Sequence, residues 1–147
     1  LVESIQHARD SYNFSVLAYI IMPEHAHLVI FPRDESYSIS SMLKSIKQSV
    51  ARRATNYLRD CDSGILRFME TGLSWPRYRF WQNGGGYDRN VRNRDELERL
   101  IDYILANPVK KGLVENVEDW YWSSARDWLY GEEKGPILID RDDVMIM

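Results

Sequence analysis

Two histidines one residue apart, His25-Ala26-His27, are followed far along the chain by Tyr103 and then, four residues on, by Asn107. Successive side chains of an extended segment leave opposite faces. His25 and His27 therefore share one face, and Ala26, Leu28 and Ile30 take the other. Two imidazoles on one pleated face can chelate a divalent ion. Ordinary paired histidines of a strand surface or core have the same spacing. Tyr103 falls in a segment of helical periodicity whose apolar face centres on Leu97, Ile101 and Ile104. At ~100° per residue it lies about 120° from that centre, and Asn107 follows beside it. A tyrosine so placed could reach a site, and a packing tyrosine on an amphipathic helix fits the same pattern.

Phosphoryl transfer is the chemistry that would join the two sets. A phenol ordinarily titrates near pH 10, so about one in a thousand is ionised at neutral pH. That is a deficit of about 4 kcal/mol, part of which a nearby cation offsets. The same cation polarises a phosphate oxygen and stabilises charge in the transition state. An incomplete His, His and amide ligand set leaves positions open for phosphate oxygens, which suits Mg²⁺ or Mn²⁺.

The elements that would position these groups are legible in the periodicity. Residues 1–12 read as an amphipathic helix, with Leu1, Ile5, Ala8 and Tyr12 on one stripe. Phe14 to Ile21 reads as a strand, Pro23 interrupts it, and His25 to Phe31 returns as the second arm of a hairpin. Ser38 to Leu58 carries Leu43, Ile46, Val50, Ala54 and Tyr57 at helical spacing. A second hairpin is expected from Tyr78 to Gln82, a turn at Gly84-Gly85-Gly86, and Tyr87 to Arg92. A helix over 95–106, capped by Asp95, should stop before Pro108. The triple glycine lacks the spacing of a nucleotide-binding loop. Trp75, Tyr78, Phe80 and Trp81 alternate with Arg77 and Arg79, which suits base stacking and core packing equally. This order of elements predicts an α+β fold, an antiparallel sheet flanked by helices, in one domain over 1–147 with an acidic tail at 131–147.

Composition narrows the function classes. The chain has 147 residues and a net charge of −3. Between Lys44 and Arg94, however, eleven Lys or Arg face four Asp or Glu. Local field matters more than net charge for a polyanion partner, and Lys44, Lys47, Arg52 and Arg79 are the candidate phosphate contacts. A solvated helix surface is the plainer account of the same charges. No apolar run is long enough to span a membrane, so no membrane partner is expected. The single Cys61 excludes an internal disulfide and fits a reducing cytoplasm.

Met22-Pro23-Glu24-His25-Ala26-His27-Leu28 resembles the metal-binding signature of single-tyrosine HUH transposases. Trp81-Gln82, followed by Tyr87-Asp88-Arg89, resembles their middle block. The run from Asp102-Tyr103 through Asn107-Pro108-Val109-Lys110-Lys111-Gly112, then Asp119-Trp120-Tyr121-Trp122-Ser123-Ser124, is similar to the closing block of REP-associated tyrosine transposases. The resemblance covers about residues 14–130. It implies a ferredoxin-like HUH endonuclease arrangement, His25, His27 and Asn107 as metal ligands, and Mg²⁺ or Mn²⁺ as cofactor. It further implies Tyr103 as the nucleophile that forms a 5′-phosphotyrosine, single-stranded or hairpin DNA as partner, and a bacterial, nucleoid-associated setting. Relatives often carry Asn where Glu24 stands, and His where Leu105 stands. They usually begin with a strand before the first helix, and none precedes the helix read at 1–12 in the given sequence. If that strand is absent and not cropped, the sheet is expected to have an exposed edge.

Three functions remain distinct at this level: a metal-dependent single-stranded DNA endonuclease and strand transferase, a catalytically silent domesticated hairpin-binding module, and a phosphoesterase using water. Monomer and homodimer are both compatible with the sequence.

Overall fold

The computed structural model describes residues 1–82 and 88–145. Its helices and strands follow the order α1 (Val2–Tyr12), β1 (Phe14–Ile21), β2 (Ala26–Pro32), α2 (Ile39–Asp60), α3 (Arg94–Leu105), α4 (Asn107–Lys110) and α5 (Ala125–Tyr130), with short 3₁₀ turns between some of them. The fold is α+β, and its sheet is antiparallel. The chain forms two compact units, with α1 divided between them. One comprises Glu3–Ala8 and Ser38–Asp88, the other Arg9–Tyr37 and Arg89–Met147.

In the first unit, α2 starts where Ser38 accepts a hydrogen bond from the Ser41 amide at 3.2 Å. Met42 and Ile46 are its buried residues, while Tyr57 is exposed. The expected stripe is therefore shifted toward Met42 and fades before the end of the helix. Ser4 of α1 donates to Ser49 at 3.2 Å, and Glu3 pairs with Arg53. The expected strand at 78–82 is reduced to an antiparallel bridge between Glu70 and Tyr78. Its partner is the upstream chain, not 87–92, of which residues 88–92 are irregular. Asn83 to Tyr87, with the triple glycine, lie outside the described residues.

The second unit is built on the β1–β2 hairpin. Its register pairs Ile20 with His27 and Ile21 with Ala26, and a bulge falls between Val16 and Ala18. β1 is buried almost throughout, as its run of β-branched and apolar residues demands. Leu17, Ala18, Ile20, Met22 and Val29 form a core with Leu97, Ile101, Ile104 and Leu105 of α3.

The outer edge of β1 is covered by chain from 120–140. The Ile21 amide donates to Trp122 O at 2.8 Å, Ser124 N–H to Tyr19 O at 3.1 Å, and Asp140 N–H to Val16 O at 2.8 Å. The Trp120 and Trp128 indoles donate to Ile21 O and Leu17 O, each at 3.0 Å. The expected exposed edge is thus absent at β1, whereas β2 pairs only with β1 among the described residues. The segment read as an acidic tail is likewise tied down. Asp140 accepts from Arg9 at 2.5 Å and Arg33 at 3.2 Å, and Asp143 from Arg33 at 2.9 Å and from Ser15.

Candidate active site

The hairpin turn sets the histidines. Met22 N–H donates to His25 O at 2.8 Å, closing the turn around exposed Pro23 and Glu24. His25 therefore stands at the threshold of β2, not within it, and His27 lies inside the ladder. Their rings meet edge to face, with centroids 4.9 Å apart. Alternation along β2 puts His27 on the face of Val29, the face that joins the α3 core. Burial, with a smaller contribution from His25, holds the His27 imidazole below its usual titration range. A neutral imidazole is the form that binds a metal. Glu24 Oε1 lies 3.3 Å from His25 Nδ1.

α3 delivers the tyrosine. Its first turn is capped by Asn93, whose side chain accepts from the Glu96 amide at 2.9 Å. Asp95, the expected cap, lies inside the first turn, where its negative charge interacts favourably with the positive end of the helix dipole. Leu97, Ile101, Ile104 and Leu105 face inward. Tyr103 leaves the buried face, 56% exposed, as its angular position predicts. The Lys110 ammonium sits 4.5 Å from the centre of its ring.

Pro108 does not simply end the helical path. α3 stops at Leu105, and Pro108 occupies the first turn of α4, where a missing N–H costs nothing. Gly112, at φ 68°, then breaks the path. This geometry fixes the Asn107 side chain. Its amide nitrogen donates to Tyr103 O at 3.2 Å and Ile104 O at 2.9 Å. With the nitrogen committed to these carbonyls, the side-chain oxygen is the atom left to accept or to ligate. Lys111 N–H donates to Asn107 O at 3.0 Å, and the Lys111 ammonium lies 3.8 Å from Glu24 Oε1. That ion pair links the histidine turn to the segment bearing Tyr103 and Asn107.

Among the described residues no three His, Cys, Asp or Glu side chains converge as a metal site. Among the described residues, a third donor beside the two histidines would be of another type, and an amide oxygen is a suitable hard donor. The four candidate phosphate contacts lie in the first unit. Lys44, Arg52 and Arg79 are exposed, whereas Lys47 is half-buried, with its ammonium 5.7 Å from the Trp81 ring. Trp81 is thereby committed to α2, since its indole also donates to Lys47 O at 2.7 Å.

An antiparallel hairpin with paired histidines thus packs on a helix whose exposed tyrosine stands one turn before an amide. The sequence matches the family described as transposase IS200 like over residues 1–104, and the chain belongs to that family. A protein assigned as a REP-associated tyrosine transposase in Haemophilus influenzae is 33% identical over 117 residues, which are 78% of this chain and 61% of the relative. The REP-associated tyrosine transposase of Escherichia coli K12 is 27% identical over 111 residues, 76% of this chain and 54% of that protein. A REP-associated tyrosine transposase solved bound to a REP hairpin superposes with a TM-score of 0.62 at 26% identity. That match covers 88% of this chain and 66% of the other. The chain thus spans about half to two thirds of the length of these proteins. The resemblance drawn from the motifs holds.

Proposed function

We propose that the chain is a metal-dependent endonuclease and strand transferase acting on single-stranded DNA that carries a hairpin. The observation that carries this reading is the exposed Tyr103, one helical turn before Asn107 and outside the face that α3 buries on the hairpin of His27. The reaction is a transesterification. The Tyr103 phenol loses its proton and its oxygen attacks the scissile phosphorus. The P–O3′ bond breaks, the 3′-oxygen leaves as a hydroxyl, and a 5′-phosphotyrosine ester remains. Because a phosphodiester is exchanged for a phosphodiester, a 3′-hydroxyl can reverse the step on another strand.

His25, His27 and the Asn107 side-chain oxygen would hold Mg²⁺ or Mn²⁺. When bound, the ion supplies charge stabilisation at the non-bridging phosphate oxygens. The residues themselves supply placement. The α3 core fixes the helix, the Asn107 amide stays locked on α3 carbonyls, and Lys110 restrains the ring of Tyr103. The Glu24–Lys111 pair is too exposed to add much stability. Its contribution is to orient the turn. Lys44, Lys47, Arg52 and Arg79 would contact phosphates.

The test uses hairpin oligonucleotides labelled at either end, incubated with Mn²⁺ and separated under denaturing conditions beside Tyr103→Phe. A protein-linked band carrying only the 3′-end label, absent from the variant, supports the reading. Binding without cleavage on all substrates would assign the chain to the silent hairpin-binding module.

A further inference from the structure

Aromatic side chains of the first unit stand in solvent where a core role would have hidden them. Trp75 is 85% exposed and Phe68 76%. Of the aromatics between 75 and 81, only Trp81 is anchored by a hydrogen bond to a helix among the described residues. Trp75 lies at the tip of a loop, 69–79, that has its own framework. Thr71 N–H donates to Arg77 O at 3.0 Å and Arg79 N–H to Met69 O at 2.7 Å. Thr71 Oγ1 donates to Pro76 O at 2.5 Å and accepts from Leu73 N–H at 3.1 Å. A loop closed by its own hydrogen bonds loses little further freedom on binding, so an exposed indole there is pre-organised.

Charge indicates what the indole would meet. From 64 to 80 the chain carries Arg67, Arg77 and Arg79 against the single acid Glu70. The Arg67 guanidinium lies 4.7 Å from the Phe68 ring centre, and Arg77 lies 5.2 Å from that of Tyr78. Flat apolar faces set among cations fit a polyanion that carries flat apolar rings, namely unpaired nucleotides. Arg77 lies 3.5 Å from Glu70, but a purely apolar protein partner would leave Arg67 and Arg79 without a counter-charge.

We propose that the 69–79 loop is a base-stacking finger. Trp75 stacks on an unpaired base, Phe68 offers a second aromatic face, and Arg67, Arg77 and Arg79 hold the adjoining phosphates. The proposal rests on the single-stranded DNA reading above, but it involves none of the residues assigned to cleavage.

The test is fluorescence anisotropy of the full chain with a labelled oligothymidine of about a dozen nucleotides, without divalent cation. Trp75→Ala and Trp75→Leu are expected to weaken binding roughly 5- to 150-fold, with Trp75→Phe recovering most of it. The salt slope should stay at the wild-type value, because no phosphate contact is removed. An abasic nucleotide scanned along the strand should reproduce the loss at one position in the wild type and add nothing in Trp75→Ala. Binding by Trp75→Ala and Trp75→Leu within about twofold of wild type would overturn the finger. So would a change of oligomeric state in Trp75→Ala with DNA affinity unmoved, which would make the surface a protein interface. If Tyr103 forms no adduct while the Trp75 effect persists, cleavage fails and the finger stands. An adduct with no Trp75 effect gives the converse.

Discussion

A histidine that gives up solvent needs compensation, and His27 is half-buried beside a second imidazole. Both features oppose its protonation, so the pair is suited to share a cation other than a proton. Alanine at His25 or His27 should therefore reduce Mn²⁺ affinity at least tenfold, since even supporting partners of a metal site are worth that much. Titration of Mn²⁺ by electron paramagnetic resonance measures this directly, and Tyr103→Phe should bind the ion like the wild type. Asp127 is the opposite case, 2% exposed. Its carboxylate faces the backbone N–H groups of Lys134 and Gly135, which only partly offset its burial, and neither oxygen makes a well-formed hydrogen bond among the described residues. Burial raises its pKa. Its folded pKa lies above the unfolded one, so its contribution is most favourable in acid and is lost as pH rises through the folded value. Asp127→Asn should therefore raise the melting temperature at neutral pH and have less effect in acid. A fall at neutral pH would contradict the assignment.

At the scale of elements, the site depends on α3 being seated on the hairpin. Ile101→Ala removes a buried side chain from that contact and should cost about 2–5 kcal/mol. Asn93→Ala removes the cap and should cost about 1 kcal/mol. Urea denaturation monitored by circular dichroism separates the two. The cap shows what local sequence withholds: Asn93 and Asp95 are both competent, and only the backbone at the helix entry decides between them. Periodicity was sufficient for β1, for the exposed side of Tyr103 and for the inward face of α3, because each follows from one element's own geometry. It was insufficient for 120–145. There, acidic composition suggested a tail over 131–147, whereas Trp120, Trp128, Asp140 and Asp143 bind partners more than ninety residues earlier. Asp143 also carries a pH signature. Its hydrogen bond from Ser15, then those from Arg33, hold its pKa below the usual carboxylate value. That stability is present above the unfolded pKa and is lost as pH falls through the folded one. The protection of the Val16 and Asp140 amides, taken relative to intrinsic exchange at each pH, should fall on acidification, and Asp143→Asn should flatten that change.

On the scale of the whole molecule, charge is segregated although the net value is −3. The candidate phosphate contacts sit in the first unit, while the paired histidines, Tyr103 and Asn107 sit in the second. No helix among the described residues is long and apolar enough to cross a membrane. Replacing Lys44, Lys47, Arg52 and Arg79 singly by Gln should each flatten the log–log salt dependence of single-strand binding by roughly 0.7. An unchanged slope in the fourfold variant would move the phosphate contacts elsewhere. The central claim, that Tyr103 becomes joined to DNA, is tested most directly by intact-mass measurement of the protein after incubation with a hairpin oligonucleotide and Mn²⁺. The account predicts a mass increase equal to the 3′ fragment, mapped to the peptide containing Tyr103 and absent from Tyr103→Phe. Cleaved DNA with the protein mass unchanged would contradict it and assign the attack to water.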